Sequence, residues 1–188
     1  KNYDVEVSTG LMNTACQSYS PNQDERPVGV DPSLIVLHGI SLPPGKFGGS
    51  EVENLFMNKL DFEDHPYFTG LKNLKVSAHL FLRRDGRLIQ FVPLNKRAWH
   101  AGDSFFRGQY FCNDFSIGIE LEGCDEKNYS KIQYYLLSKV IKGIFRAYPN
   151  ITIREIAGHS DIAPGRKTDP GPSFDWLKLY KLLNVDNC

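Results

Sequence analysis

Phe115-Ser-Ile-Gly-Ile-Glu-Leu-Glu122 is the stretch that decides the fold. Phe115, Ile117, Ile119 and Leu121 fall on one side and Ser116, Gly118, Glu120 and Glu122 on the other. That period of two belongs to a strand with one side on a core. Leu34-Ile-Val-Leu-His38 differs in kind, an unbroken apolar run that reads as a buried strand ending on a histidine. Outward from these, 76–82 (VSAHLFL) and 87–92 (RLIQFV) are strand-like. Arg83-Arg84-Asp85-Gly86 joins them, and its Asp-Gly marks a hairpin. Ser130-x-x-Gln133 caps a helix to Tyr148, with Ile132, Leu136, Val140 and Ile144 four apart and Pro149 beyond its end. Ser50-x-x-Glu53 carries the same signature and opens a short helix through about Asn58. Residues 151–159 (ITIREIAGH) read as another strand ending on a histidine, and Ser173 opens a last short helix. Strands and helices mix without strict alternation. The expected fold is therefore α/β of the mixed α+β kind, with a central mixed sheet flanked by helices. One domain is expected over 1–188, in which the polar, turn-rich residues 1–30 wrap the surface of a core spanning 31–183.

Composition narrows the function. The chain has 188 residues, 22 basic and 22 acidic, for a formal net charge of zero. A non-specific nucleic-acid binder or a binder of anionic membranes carries a basic excess, which is lacking here. The longest aliphatic run, Leu34 to Leu37, is far short of the roughly 20 residues of a membrane span. Lys1 to Thr9 alternates polar and charged residues without an apolar stretch, so no signal peptide is visible. Cys16, Cys112, Cys124 and Cys188 are scattered, which fits a reduced cytoplasmic protein, and the terminal Cys188 reads as an exposed thiol.

Of the five histidines, His38 and His159 share a context, each closing an apolar strand and followed by small or polar residues. Sites form beyond strand ends because the strand fixes the side chain and the loop leaves room. His65, between Asp64 and Pro66, reads as a loop residue. Lys167 and Asp169 are two apart in a loop stiffened by Pro and Gly, so they point the same way. They read either as a surface ion pair or as a metal ligand beside an electrophilic stabiliser. Glu120 likewise reads either as a solvated carboxylate or as a catalytic one held by its strand.

Five segments in order, LIVLHGISLPPGKFGG, VSAHLFLRRDG, RAWHAG, CNDFSIGIELEG and GHSDIAPGRKTDPGP, resemble the zinc-dependent N-acetylmuramoyl-L-alanine amidases. The resemblance covers most of residues 30–177 and implies the T7-lysozyme-like fold shared with peptidoglycan-recognition proteins. It implies one Zn2+ held by His38, His159 and Asp169, with Glu120 as general base and Lys167 stabilising the oxyanion. The implied reaction is hydrolysis of the amide between the lactyl group of N-acetylmuramic acid and the L-alanine of its stem peptide. Within the family the similarity is greatest to the cytosolic branch that recycles 1,6-anhydro-muramyl peptides. The expected partner is thus a small muropeptide, with no nucleic acid and no membrane, and the chain is expected to be monomeric.

Two positions depart from the family pattern. Gly39 stands where an Asn is frequent, and Phe111 precedes Cys112 where a basic residue is usual. Arg107 and Lys75 are the candidates to receive a stem-peptide carboxylate instead, and Trp99 and His100 to line the sugar or lactyl subsite. His79 reads as a satisfied sheet-face histidine. Arg83 to Arg107 holds six basic residues (Arg83, Arg84, Arg87, Lys96, Arg97, Arg107) and two acids (Asp85, Asp103), a basic region expected to face the acidic substrate. The alternatives are a non-catalytic recognition module of the same fold and an exported amidase acting on intact cell wall.

Overall fold

The computed structural model describes residues 2–184, so Cys188 lies outside the described residues. The main sheet is built from β1 (Cys16–Gln17), β2 (Leu34–Ile40), β3 (Leu80–Leu82), β4 (Leu88–Gln90), β5 (Ser116–Glu122) and β6 (Ile156–Gly158). Their order is β6-β2-β5-β3-β4-β1. Only the β3–β4 hairpin is antiparallel; the other neighbours run parallel, which makes the sheet mixed as expected.

The two faces of the sheet are divided by strand alternation. Ile35 and Leu37 of β2, Ile117, Ile119 and Leu121 of β5, and Leu80 and Leu82 of β3 share a core with α2 (Lys131–Ala147) and α4 (Trp176–Asn184). The opposite face packs Phe81 and Ile89 against α1 (Glu51–Phe56) and Phe68. Farther along it, Leu34, Val36 and Ala157 pack against Ile162 of α3 (His159–Ile162). His38 and Glu120 share this second face, because each is an even-numbered neighbour of Val36 or Gly118.

Several expectations are corrected. β5 is buried along its whole length, so its polar side is a second interior rather than a solvated face. The same signature gives two outcomes at Ser50 and Ser130. Ser130 forms the full capping box with Gln133, whereas Ser50 makes no side-chain cap. Glu53 is instead drawn to Arg83, 2.9 Å away and similarly secluded. The buried side of α2 runs through Tyr134, Leu137, Val140, Ile141 and Ile144, and Ile132 is exposed at its margin. Residues 151–159 are not one strand: a 3-10 turn at Ile153–Glu155 precedes β6, and His159 opens α3. The N-terminal segment does more than wrap the surface, since β1 extends the sheet and Met12 is fully buried in the core.

Candidate active site

The parallel register of β5 on β2 sets Glu120 directly opposite His38. β6 lies on the other side of β2, and its end delivers His159 as the first residue of α3. The following loop turns back so that Asp169 O accepts from Ser160 N–H, which returns the Asp169 carboxylate to the histidines. Three donor atoms then converge: His38 Nδ1 lies 2.9 Å from His159 Nδ1 and 3.2 Å from Asp169 Oδ2, and His159 Nδ1 lies 3.1 Å from that oxygen. The family resemblance implied one role for all three, and the structure brings them together.

This donor set fits a small tetrahedral dication. Bonds of about 2.0–2.1 Å at tetrahedral angles separate ligand atoms by roughly 3.3 Å. Burial brings His38 down to about 4, opposed by Asp169, so its imidazole is neutral near pH 7. His159 Nε2 sits 3.1 Å from the Ala101 carbonyl, which only accepts, so that nitrogen carries a proton and leaves Nδ1 for the centre. Burial alone would raise Asp169, but the two imidazoles outweigh it and hold the carboxyl below the usual range.

Glu120 stands beside this centre, with Oε1 4.0 Å from His38 Nδ1. Its other oxygen, Oε2, is buried with no hydrogen-bond partner. Desolvation pushes its pKa well above the ordinary carboxylate value, and the charge of Asp169 adds to that rise. Lys167 opposes both, so its ammonium lies close enough to act on this carboxylate. Lys167 is exposed on the cleft wall and forms no ion pair with Asp169 or any other described carboxylate. The surface ion-pair reading thus fails for it, and its charge is free to meet a ligand.

The cleft has a volume of about 690 Å³, within the range of small-molecule sites, and includes Gly39, Lys75, Trp99 and His100 in its wall. Gly39 is held close to the loop bearing Asp169. A Cβ there would come 2.3 Å from Tyr129 Oη, whose hydroxyl donates to Pro170 O at 2.8 Å. The tyrosine therefore occupies the space that a side chain at this position would take. His100 is largely buried beside His38, with its ring nitrogens turned to the protein and part of the residue reaching the cleft wall. His79 is satisfied within the sheet, accepting from Gly118 N–H and donating to the Lys96 carbonyl.

The structure does not bring Arg107 to the cleft. Its guanidinium pairs with Glu155 at 2.9 Å and donates to Arg154 O. The whole basic stretch meets the same fate, and none of its six cations lines the cleft. Arg83 pairs with Glu53, Lys96 with Glu25, and Arg97 with Asp24 and Asp114; Arg84 lies over the Phe47 ring. The positive charge of the cleft comes from Lys75, Lys167 and Arg166. Arg166 escaped the sequence reading although it adjoins Lys167; its guanidinium donates to the Ala101 and Asp103 carbonyls.

Residues 28–172 match the family model described as N-acetylmuramoyl-L-alanine amidase. The chain is 52% identical to the 1,6-anhydro-N-acetylmuramyl-L-alanine amidase AmpD of Citrobacter freundii over 94% of each chain. It superposes on a crystal structure of a selenomethionine AmpD derivative with a TM-score of 0.91 at 50% identity, covering 93% of this chain and 97% of that one. AmpDh3 of Pseudomonas aeruginosa, crystallised in complex with anhydromuramic pentapeptide, matches at 30% identity and a TM-score of 0.59. That match covers 80% of this chain and 59% of AmpDh3.

Proposed function

The chain belongs to the N-acetylmuramoyl-L-alanine amidase family, and from that premise we propose how it hydrolyses the amide between the lactyl group of a muramic acid and L-alanine. The observation that carries the reading is the convergence of His38, His159 and Asp169 beside Glu120. These three side chains would hold one zinc ion, which when bound acidifies water and polarises a carbonyl.

The chain's own groups supply the proton traffic and the charge balance. Glu120 Oε2, buried and unpartnered, receives the proton of the attacking water; the raised pKa of the carboxyl makes it a competent base and then a competent acid. A new C–O bond forms at the lactyl carbonyl as the C–N bond breaks, and Glu120 returns its proton to the departing L-alanine nitrogen. The products are the lactyl carboxylate and a peptide with a free ammonium terminus, the second proton of the water passing from the new acid to the amine. Lys167, exposed on the cleft wall, would stabilise the negative charge that grows on the carbonyl oxygen toward the transition state. Lys75 and Arg166 meet the carboxylates of the stem peptide, and Trp99, half-buried in the wall, offers its ring to the sugar.

The substrate we assign is a 1,6-anhydro-muramyl peptide, and the setting is cytoplasmic peptidoglycan recycling. The likeness to AmpD over nearly the whole of both chains supports this choice. Incubation with anhydro-muramyl tripeptide tests it: free anhydro-muramic acid and intact tripeptide are expected, at a higher rate than release from intact peptidoglycan. Faster attack on intact wall would assign the enzyme to the exported class.

A further inference from the structure

A hydrogen-bonded chain runs from His38 through His100 into the sheet. His38 Nε2 meets His100 Nδ1 at 2.9 Å, His100 Nε2 meets Ser116 Oγ at 3.1 Å, and Ser116 Oγ donates to the Cys112 carbonyl. The direction of every proton in it follows from the last link. A backbone carbonyl only accepts, so the single Ser116 proton is committed to Cys112. Ser116 Oγ must therefore accept from His100, which puts a proton on His100 Nε2 and leaves His100 Nδ1 as an acceptor. The proton shared with His38 then belongs to His38 Nε2, and His38 Nδ1 is left bare.

The relay is buried throughout, with Ser116 at 0%, His100 at 8% and His38 at 1% exposure. The His100 ring lies so close to the sheet that a Cβ on Gly118 would come 2.5 Å from its Cγ. Its backbone is pinned as well: His100 N–H and Ala101 N–H both donate to Asn113 Oδ1, at 3.0 and 2.8 Å. The Ala101 carbonyl is the group that accepts from His159 Nε2. One dipeptide, hung on one amide oxygen, thus orients both histidines.

We propose that His100 and Ser116 are positioning residues that hold His38 as its Nε2–H tautomer, turning the Nδ1 lone pair inward before a cation arrives. This rests on reading His38, His159 and Asp169 as a metal site. The role is separate from any contact His100 makes on the cleft wall, because both of its ring nitrogens are committed to the protein.

Zinc affinity, measured on the full chain by competition with a chromophoric chelator, tests the relay together with 15N spectra of metal-free protein. His100→Phe keeps a ring and removes both nitrogens, and zinc affinity should fall about 10–100-fold, the usual scale for outer partners of a metal ligand. Ser116→Ala frees His100 to reverse its polarity and should weaken zinc in the same direction. The double variant should bind no more weakly than His100→Phe alone. In the wild type His38 Nδ1 should give the signal of an unprotonated nitrogen, moving toward the protonated form in Ser116→Ala. The proposal is overturned if His100→Phe binds zinc like the wild type, if the two losses add, or if His38 Nδ1 is protonated in the wild type. Should His100→Phe fail to fold, Ser116→Ala decides by both readouts. A wild type that binds no zinc would defeat the metal reading, while the His38 spectrum would still decide the tautomer.

Discussion

Glu120 and His38 face each other across the parallel register of β5 and β2, and Glu120 Oε1 lies 4.0 Å from His38 Nδ1. The proposed base and one of the three proposed metal donors are thus fixed by the same pair of buried strands, while His159 comes from the end of β6 and Asp169 from the loop beyond α3. Two consequences separate the roles of the two residues.

Glu120→Gln should retain zinc and lose turnover by roughly a hundredfold or more, the scale of a missing general base. Elemental analysis and kcat on anhydro-muramyl tripeptide give the two readings. A turnover within a few-fold of the wild type would require another base.

The same substitution should change how stability depends on pH in metal-free protein. Burial, reinforced by Asp169, raises the Glu120 pKa in the folded state above its unfolded value. Across the interval between those two values the folded protein binds the extra proton, so this group's contribution to stability falls as pH rises. Denaturant midpoints of wild type minus Glu120→Gln should therefore decline from the ordinary glutamate range toward neutral pH. A flat difference would mean that the carboxylate is not destabilised by its surroundings.

Substrate recognition should follow the cleft rather than the basic stretch of sequence. Lys75→Ala and Arg166→Ala should each raise KM for a diaminopimelate-containing muropeptide by about tenfold, the equivalent of roughly 1.4 kcal/mol. Arg107→Ala should leave KM unchanged, since its guanidinium is engaged by Glu155 and the Arg154 carbonyl. A rise in KM for Arg107→Ala alone would restore the assignment drawn from sequence.

Gly118→Ala should destabilise the protein by about 1–3 kcal/mol, the cost of forcing an extra carbon into a packed interior. The new Cβ would strike the His100 ring, 2.5 Å away at Cγ, so zinc affinity should fall with stability. Thermal unfolding and chelator competition on one preparation check both, and a neutral effect would show that the ring has room to move.

Much of the fold was legible because it is written in local patterns: the alternation at 115–122, the apolar run at 34–38 and the cap at Ser130 all formed their elements. What escaped depends on partners distant in sequence. Ser50 and Ser130 carry one signature, yet only Ser130 makes the box: its backbone is extended whereas Ser50 has ψ near 0°, and the Glu53 carboxylate is held by Arg83. The basic stretch looked like a substrate-facing patch because the acids that neutralise it, from Asp24 to Glu155, lie far along the chain. The depth of His100 had no signal in sequence; only the fold shows that its ring nitrogens are spent on His38 and Ser116. Tyr129 and Asn113, which brace the Asp169 loop and the His100–Ala101 backbone, had no local signal at all.

The most direct test of the account is zinc titration into metal-free enzyme during hydrolysis of anhydro-muramyl tripeptide. Activity should vanish on chelation and return in proportion to zinc up to one equivalent, with anhydro-muramic acid and a peptide bearing a free L-alanine amine as products. His159→Ala should recover neither zinc nor activity in the same titration. Undiminished hydrolysis by protein shown to be metal-free, or none after one equivalent of zinc is bound, would contradict the account.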